Sequence, residues 1–181
     1  MNNKYIIIFE GLDGTGKTTI AKALAEKLNL QYFKNSMHGL DSMPEKYKDR
    51  AYFDNLLKYQ APLTLAFLRQ CLFKEKGIIL DRFIPSEFAY GMALRNGTDE
   101  DLIWQIDKKL FLLGAKVIYL TKCFNRVTQP KEFMYSELVK IRTYYQIYKS
   151  TTLMPWLWLD TTSENLSYQI TEIVHFLSSS S

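Results

Sequence analysis

Histidine and cysteine are scarce. Two of each occur in 181 residues, His38 and His175, Cys71 and Cys123. None is spaced as a metal ligand set or as a redox C-x-x-C pair. That argues against a structural zinc site and a disulfide-stapled scaffold. The thiols are expected to be reduced and partly buried. No apolar run approaches the roughly 20 residues that a membrane helix needs. The short run at residues 4–9 stops at Glu10, so it does not read as a secretory leader. A basic stripe is missing too. The net charge of +4 is scattered among interleaved acids, which suits small anionic ligands better than a nucleic-acid face. The expected setting is the cytosol, with no membrane or nucleic-acid partner. A homodimer is left open.

Aromatic residues, by contrast, make up 14% of the chain, enough to argue for a packed core over disorder. Tyr5–Phe9 is a continuous apolar run and predicts a strand buried on both faces. Thr18–Leu28 predicts a helix with Ile20, Ala21, Leu24, Ala25 and Leu28 on one face. Gln31–Lys34 is a second strand candidate, and Asn35–Pro44 reads as a loop. A helical stretch from Asp54 to Glu75 should be kinked or divided at Pro62. Ile78–Leu80 is the next buried strand, and Pro85–Ser86 open a helix that Asn96-Gly97 stops. Thr98 is placed to cap the following helix, which Gly114 closes.

Lys116–Leu120 reads as a strand, Tyr135–Lys149 as a helix and Trp156–Leu159 as the last strand. Ser163 with Glu164 should open a final helix that ends near Leu177. This alternation calls for a parallel sheet covered on both faces. Residues 1–177 form one expected domain, and 178–181 a low-complexity tail. Tyr144, Tyr145 and Tyr148, at helical spacing, read as packing residues, as do Trp156 and Trp158. His38 reads as a solvated loop residue.

Gly11-Leu12-Asp13-Gly14-Thr15-Gly16-Lys17-Thr18 matches G-x-x-x-x-G-K-[ST], between a strand and a helix. Glycines let the backbone turn so that amides point inward. The helix N-terminus adds a positive dipole end. Lys17 supplies a charge for the outer phosphates, and the Thr18 hydroxyl is a hard ligand for Mg²⁺. Asp13, Gly14, Thr15, Gly16, Lys17, Thr18 and Thr19 are therefore the expected ATP–Mg²⁺ cradle. A GTPase would add an Asp after Thr121-Lys122-Cys123, where this chain has Phe124.

A second motif, Asp81-Arg82-Phe83, ends a strand at the edge where parallel sheets bind ligands. Asp81 there suits a metal, and Arg82 an anion. In isolation the pair reads first as a surface salt bridge; beside the phosphate loop it reads as part of a site. Glu10, at the end of the first strand, is open to a pocket role or a structural one.

These residues resemble the thymidylate kinases. Phe9–Thr19 is similar to their N-terminal signature, and Asp81–Tyr90 to their D-R-[YFH]-x-x-S-x-x-A-[YF] motif. Leu65–Arg69 resembles a helix ending in a substrate-binding Arg, and Leu159–Thr162 the last strand and adenine-side loop. The resemblance implies a three-layer α/β P-loop fold with a five-stranded parallel sheet, order 2-3-1-4-5, and a short lid near 121–134. It implies that Asp13 meets the sugar, and that Arg69 and Arg82 grip the acceptor phosphate. Asp81 would stand near the metal, and Phe83, Ser86 and Tyr90 would line the acceptor pocket. With Gly14 where some relatives carry a catalytic Arg, the transition-state cation would come from Arg126 or Lys131, with Arg142 outside the lid.

Two departures stand out. Lys34–Gly39 replaces the family's Arg-Glu-Pro-Gly loop, and the lid lacks its D-P-x-x-x-x-x-R run. The expected reaction is transfer of the ATP γ-phosphoryl group to a deoxynucleoside 5′-monophosphate, of thymidylate type or another. One rival is a nucleoside kinase using Glu10 or Asp81 as base. The other is a non-catalytic nucleotide-binding or regulatory ATPase module.

Overall fold

A computed structural model describes residues 4–34, 49–123, 134–163 and 165–179. Five strands form one sheet: β1 (Ile6–Gly11), β2 (Gln31–Lys34), β3 (Ile78–Asp81), β4 (Ala115–Thr121) and β5 (Trp156–Asp160). Their order is β2-β3-β1-β4-β5 and every pairing is parallel. The helices are α1 (Lys17–Leu28), α2 (Arg50–Phe73), α3 (Ile84–Leu94), α4 (Glu100–Leu112), α5 (Tyr135–Thr151) and α6 (Leu166–Ser179). Fold class, strand order and element sequence follow the expectation.

The apolar run of β1 explains the layering. Alternate side chains of a strand point to opposite faces. Ile6 and Ile8 enter a core built with α2, α3 and α4. Ile7 and Phe9 enter the opposite core, formed with α1 and α6. Both faces are thus covered, which is what a strand without polar alternation requires. Truncating such a side chain to Ala costs about 2–5 kcal/mol. The C-terminal ends of the strands share one edge, and the register places Gly11 beside Leu120 and Thr121 beside Asp160.

Several boundaries differ from expectation. α2 begins earlier because Asp49 caps it, its carboxylate accepting from the Tyr52 amide at 2.7 Å. Pro62 lies inside α2 without dividing it. It is on the exposed side, where the carbonyl it leaves unpaired can turn to water. Asp99 rather than Thr98 caps α4, accepting from the Leu102 amide at 3.1 Å. Thr98 instead donates to Asp54 at 3.2 Å. α6 starts beyond Asn165, whose side chain accepts from the Tyr168 amide, and it continues through Ser178 and Ser179 rather than ending near Leu177. Cys71 is buried but Cys123 is exposed, not partly buried.

Candidate active site

The turn between β1 and α1 is built for close approach. Gly11 has φ 135°, and a Cβ there would lie 2.3 Å from the Leu120 carbonyl oxygen. Gly14 and Gly16 also have positive φ. Thr15 Oγ1 donates to Leu12 O at 2.8 Å. Thr161, just past β5, fastens the turn from outside, its hydroxyl lying 2.9 Å from Thr15 O and 3.1 Å from Thr121 O. Gly16 is the N-cap of α1 and no side chain caps it. The amides of the first turn are therefore open to an anion. Thr18 and Thr19 are exposed at that mouth.

Lys17 is 7% exposed. Its ammonium donates to Leu12 O at 2.7 Å and stands 3.8 Å from Asp13 Oδ1. Burial, and then the charge of Arg82, push it down to about 7, against the pull of Asp13, Asp81 and Glu10. The cradle thus fits a triphosphate: it offers amides, a cation and glycines at positive φ, one of which, Gly11, has no room for a Cβ.

Asp81, at the end of β3, faces the same turn. Its Oδ2 accepts from Thr18 Oγ1 at 2.7 Å and from the Tyr32 hydroxyl at 2.6 Å. Two hard oxygen ligands therefore lie side by side, as a phosphate-bound Mg²⁺ needs. Among the described residues no group of three His, Cys, Asp or Glu could hold a metal, so such an ion would draw its other ligands from phosphate and water. Partial burial, and then the bond to Asp81, push the Tyr32 phenol up to about 12.

Arg82 is the hub of the opposite wall. Its φ of 68° is left-handed, a conformation a non-glycine residue holds only when its surroundings impose it. Glu10 supplies that constraint. Its carboxylate is fully buried and accepts from the Phe83 amide at 2.9 Å, the Ser86 amide at 3.3 Å, the Ser86 hydroxyl and the Tyr145 hydroxyl at 3.0 Å. Burial raises the Glu10 pKa despite Arg82 and these donors. The guanidinium of Arg82 donates to Asp13, to Ser86 Oγ at 3.3 Å and to Tyr145 at 3.4 Å. It also lies over the Tyr90 ring, 5.2 Å from its centroid. Burial would raise Asp13, but Arg82 and Lys17 outweigh it and hold the carboxyl low.

Most of the expected site residues therefore converge: Glu10, Asp13, Gly14, Thr15, Gly16, Lys17, Thr18, Asp81, Arg82, Ser86 and Tyr90. Phe83 contributes its amide, while its ring packs in the core with α2 and α4. Arg69 is exposed on α2. Its neighbours on that helix meet the edge strand: Phe67 packs against Phe33, which is level with Leu80, and Cys71 meets Gln31, which is level with Ile78.

The lid candidates Arg126 and Lys131, and the loop around His38, lie outside the described residues. Arg142 is on α5, where its charge is felt by Tyr119 and Asp160. Tyr32 and Tyr145 join these residues without having been singled out for it, and Thr161 lies in the stretch likened to an adenine-side loop. Helical spacing identified Tyr145 only as a packing residue.

Comparison with known proteins agrees with this geometry. A family profile, ATPase family associated with various cellular activities (AAA), matches residues 7–77. A probable thymidylate kinase of Sulfolobus acidocaldarius is 36% identical over 114 residues, 58% of this chain and 57% of that protein. The chain thus spans little more than half of that relative. A probable thymidylate kinase of Methanococcus maripaludis (strain C7) is 27% identical over 192 residues, covering 96% of this chain and 94% of its own. The crystal structure of thymidylate kinase from Ehrlichia chaffeensis superposes with a TM-score of 0.71 at 20% identity, covering 96% of this chain and 98% of that one.

Proposed function

We propose that this chain, a P-loop relative of the thymidylate kinases, transfers the γ-phosphoryl group of ATP to a deoxynucleoside 5′-monophosphate. The observation that carries the reading is the meeting of two motifs across one cleft. Lys17 and the open amides of α1 face Asp81 and Arg82, with Asp13 bonded to Arg82 between them. Phosphoryl transfer needs little covalent help. It needs alignment and charge neutralisation.

In this reading Lys17 and the amides of residues 14–19 hold the ATP phosphates. Thr18 and Asp81 would hold Mg²⁺, which would supply charge neutralisation at the phosphates. Arg82 holds the acceptor phosphate, which must displace Asp13 from it and leaves that carboxylate for the sugar. Tyr90 and Ser86 flank Arg82 and complete that end of the pocket. The transition-state cation is assigned to Arg126 or Lys131, with Arg142 as the candidate outside the lid.

The acceptor brings its own nucleophilic oxygen, so no general base is required. A nucleoside kinase would require one, and neither carboxylate suits the task. Glu10 is filled by four donors, and Asp81 is engaged by Thr18 and Tyr32. The test is ATP–Mg²⁺ with a panel of deoxynucleosides and their 5′-monophosphates. Transfer to monophosphates but not nucleosides is expected. Transfer only to nucleosides, or hydrolysis indifferent to either, would overturn the reading.

A further inference from the structure

Among the described residues, a second charged cluster lies beside the first and is used by none of the steps above. Glu87 is the residue after Ser86 and is 1% exposed. Its Oε1 accepts from Arg95 Nη2, which also reaches Glu87 O at 3.3 Å. The Arg95 side chain keeps 10% exposure, and its guanidinium lies over the Phe53 ring, 3.9 Å from the centroid. Asp54, one residue on, accepts from Thr98 and from the Asp99 amide. The pair is therefore walled by the N-terminal part of α2 and by α3.

Two of its buried polar atoms, Glu87 Oε2 and Arg95 Nε, have no hydrogen-bond partner. Leaving such atoms unpaired costs free energy. A structural salt bridge of this depth would ordinarily saturate them. An acceptor here, next to a donor, is the complement of a nucleobase edge.

The position supports that assignment. With its phosphate on Arg82 at the head of α3, a nucleotide extends along that helix. Besides Ser86, the polar side chains of α3 are Glu87 and Tyr90, and Tyr90 lies against Arg82. We propose that Glu87 and Arg95 form the base-reading subsite of the acceptor pocket and select a base carrying an exocyclic amino group over thymine. This rests on the phosphotransfer reading above.

The chemistry decides the direction. An amino group presents N–H to Glu87 Oε2, and the ring nitrogen beside it accepts from Arg95 Nε. Thymine presents one N–H flanked by two carbonyl oxygens, so a carboxylate that reaches it also meets two sets of lone pairs. Sites built around a specific hydrogen bond reject analogues that lack it far more strongly than apolar pockets do.

The experiment compares kcat/KM for dCMP, dAMP and dGMP with that for dTMP and dUMP, using ATP–Mg²⁺ and the full chain. At least one amino-bearing acceptor should exceed both others by about tenfold or more. Parity or preference for dTMP overturns the subsite and leaves the kinase reading intact. No transfer to any of the five overturns both. Glu87→Gln adds a second readout. Its carboxamide can donate to a thymine carbonyl, so the ratio of amino-bearing to thymine turnover should fall about tenfold. An equal fall for every acceptor, with a lowered Tm, would make the pair structural and overturn the proposal.

Discussion

At Lys17 burial and charge pull in opposite directions. Buried beside Arg82, the ammonium is held near 7, so at pH 8 much of it is neutral before nucleotide arrives. Phosphates in the loop favour the charged form and raise the pKa again. Binding of ATP–Mg²⁺ at pH 8 should therefore take up close to one proton, and at pH 6 almost none. Calorimetry in buffers of different ionisation enthalpy measures this directly, and equal uptake at both values would contradict it. Because deprotonation competes with binding, this group makes affinity fall as pH rises above about 7. Lys17→Ala should lower phosphoryl transfer at least ~100-fold, since one phosphate-directed cation is worth roughly 3 kcal/mol. Single-turnover rates check it. Tyr145→Phe removes one donor from Glu10 and one acceptor from Arg82. It should cost about 1–3 kcal/mol in stability, read as the urea midpoint, with the apolar packing on Tyr119 retained.

Among the elements, α3 packs tightly against its own link to α4. A Cβ at Gly91 would lie 2.9 Å from Thr98 Cβ and 3.0 Å from Arg95 Nη2. Gly91→Ala must therefore move one of them, and a destabilisation of about 1–3 kcal/mol is expected. The thermal midpoint should fall accordingly, and an unchanged midpoint would mean the link yields freely. At the entry to α2, Asp49→Ala should cost about 1 kcal/mol, the worth of an N-cap. Elements of this kind were readable from sequence wherever a local pattern determines them. The apolar run of β1, the Asn96-Gly97 stop and the glycines of the phosphate loop all act over a few residues. Of the two outcomes expected at Pro62, a kink or a division, the division did not occur, because its cost depends on whether the lost hydrogen bond faces solvent, which is a tertiary property. Thr98 and Asp99 can both cap, and Thr98 was claimed by Asp54, 44 positions away.

Across the whole molecule, the parts of the site that the sequence did not reveal are those joined over long separations. Tyr145 meets Glu10 across 135 positions, and Tyr32 meets Asp81 across 49. Neither sits in a motif. Thr161 shows the widest reach, since its hydroxyl meets the turn at Thr15 across 146 positions and the end of β4 across 40. The turn at Gly11–Thr18 looks self-sufficient as a local motif, yet its latch lies far along the chain, just past β5. A nascent chain that has not yet delivered β5 holds a phosphate loop that is still unfastened. Competence to grip nucleotide should therefore arrive late in synthesis, after β5 has joined the sheet.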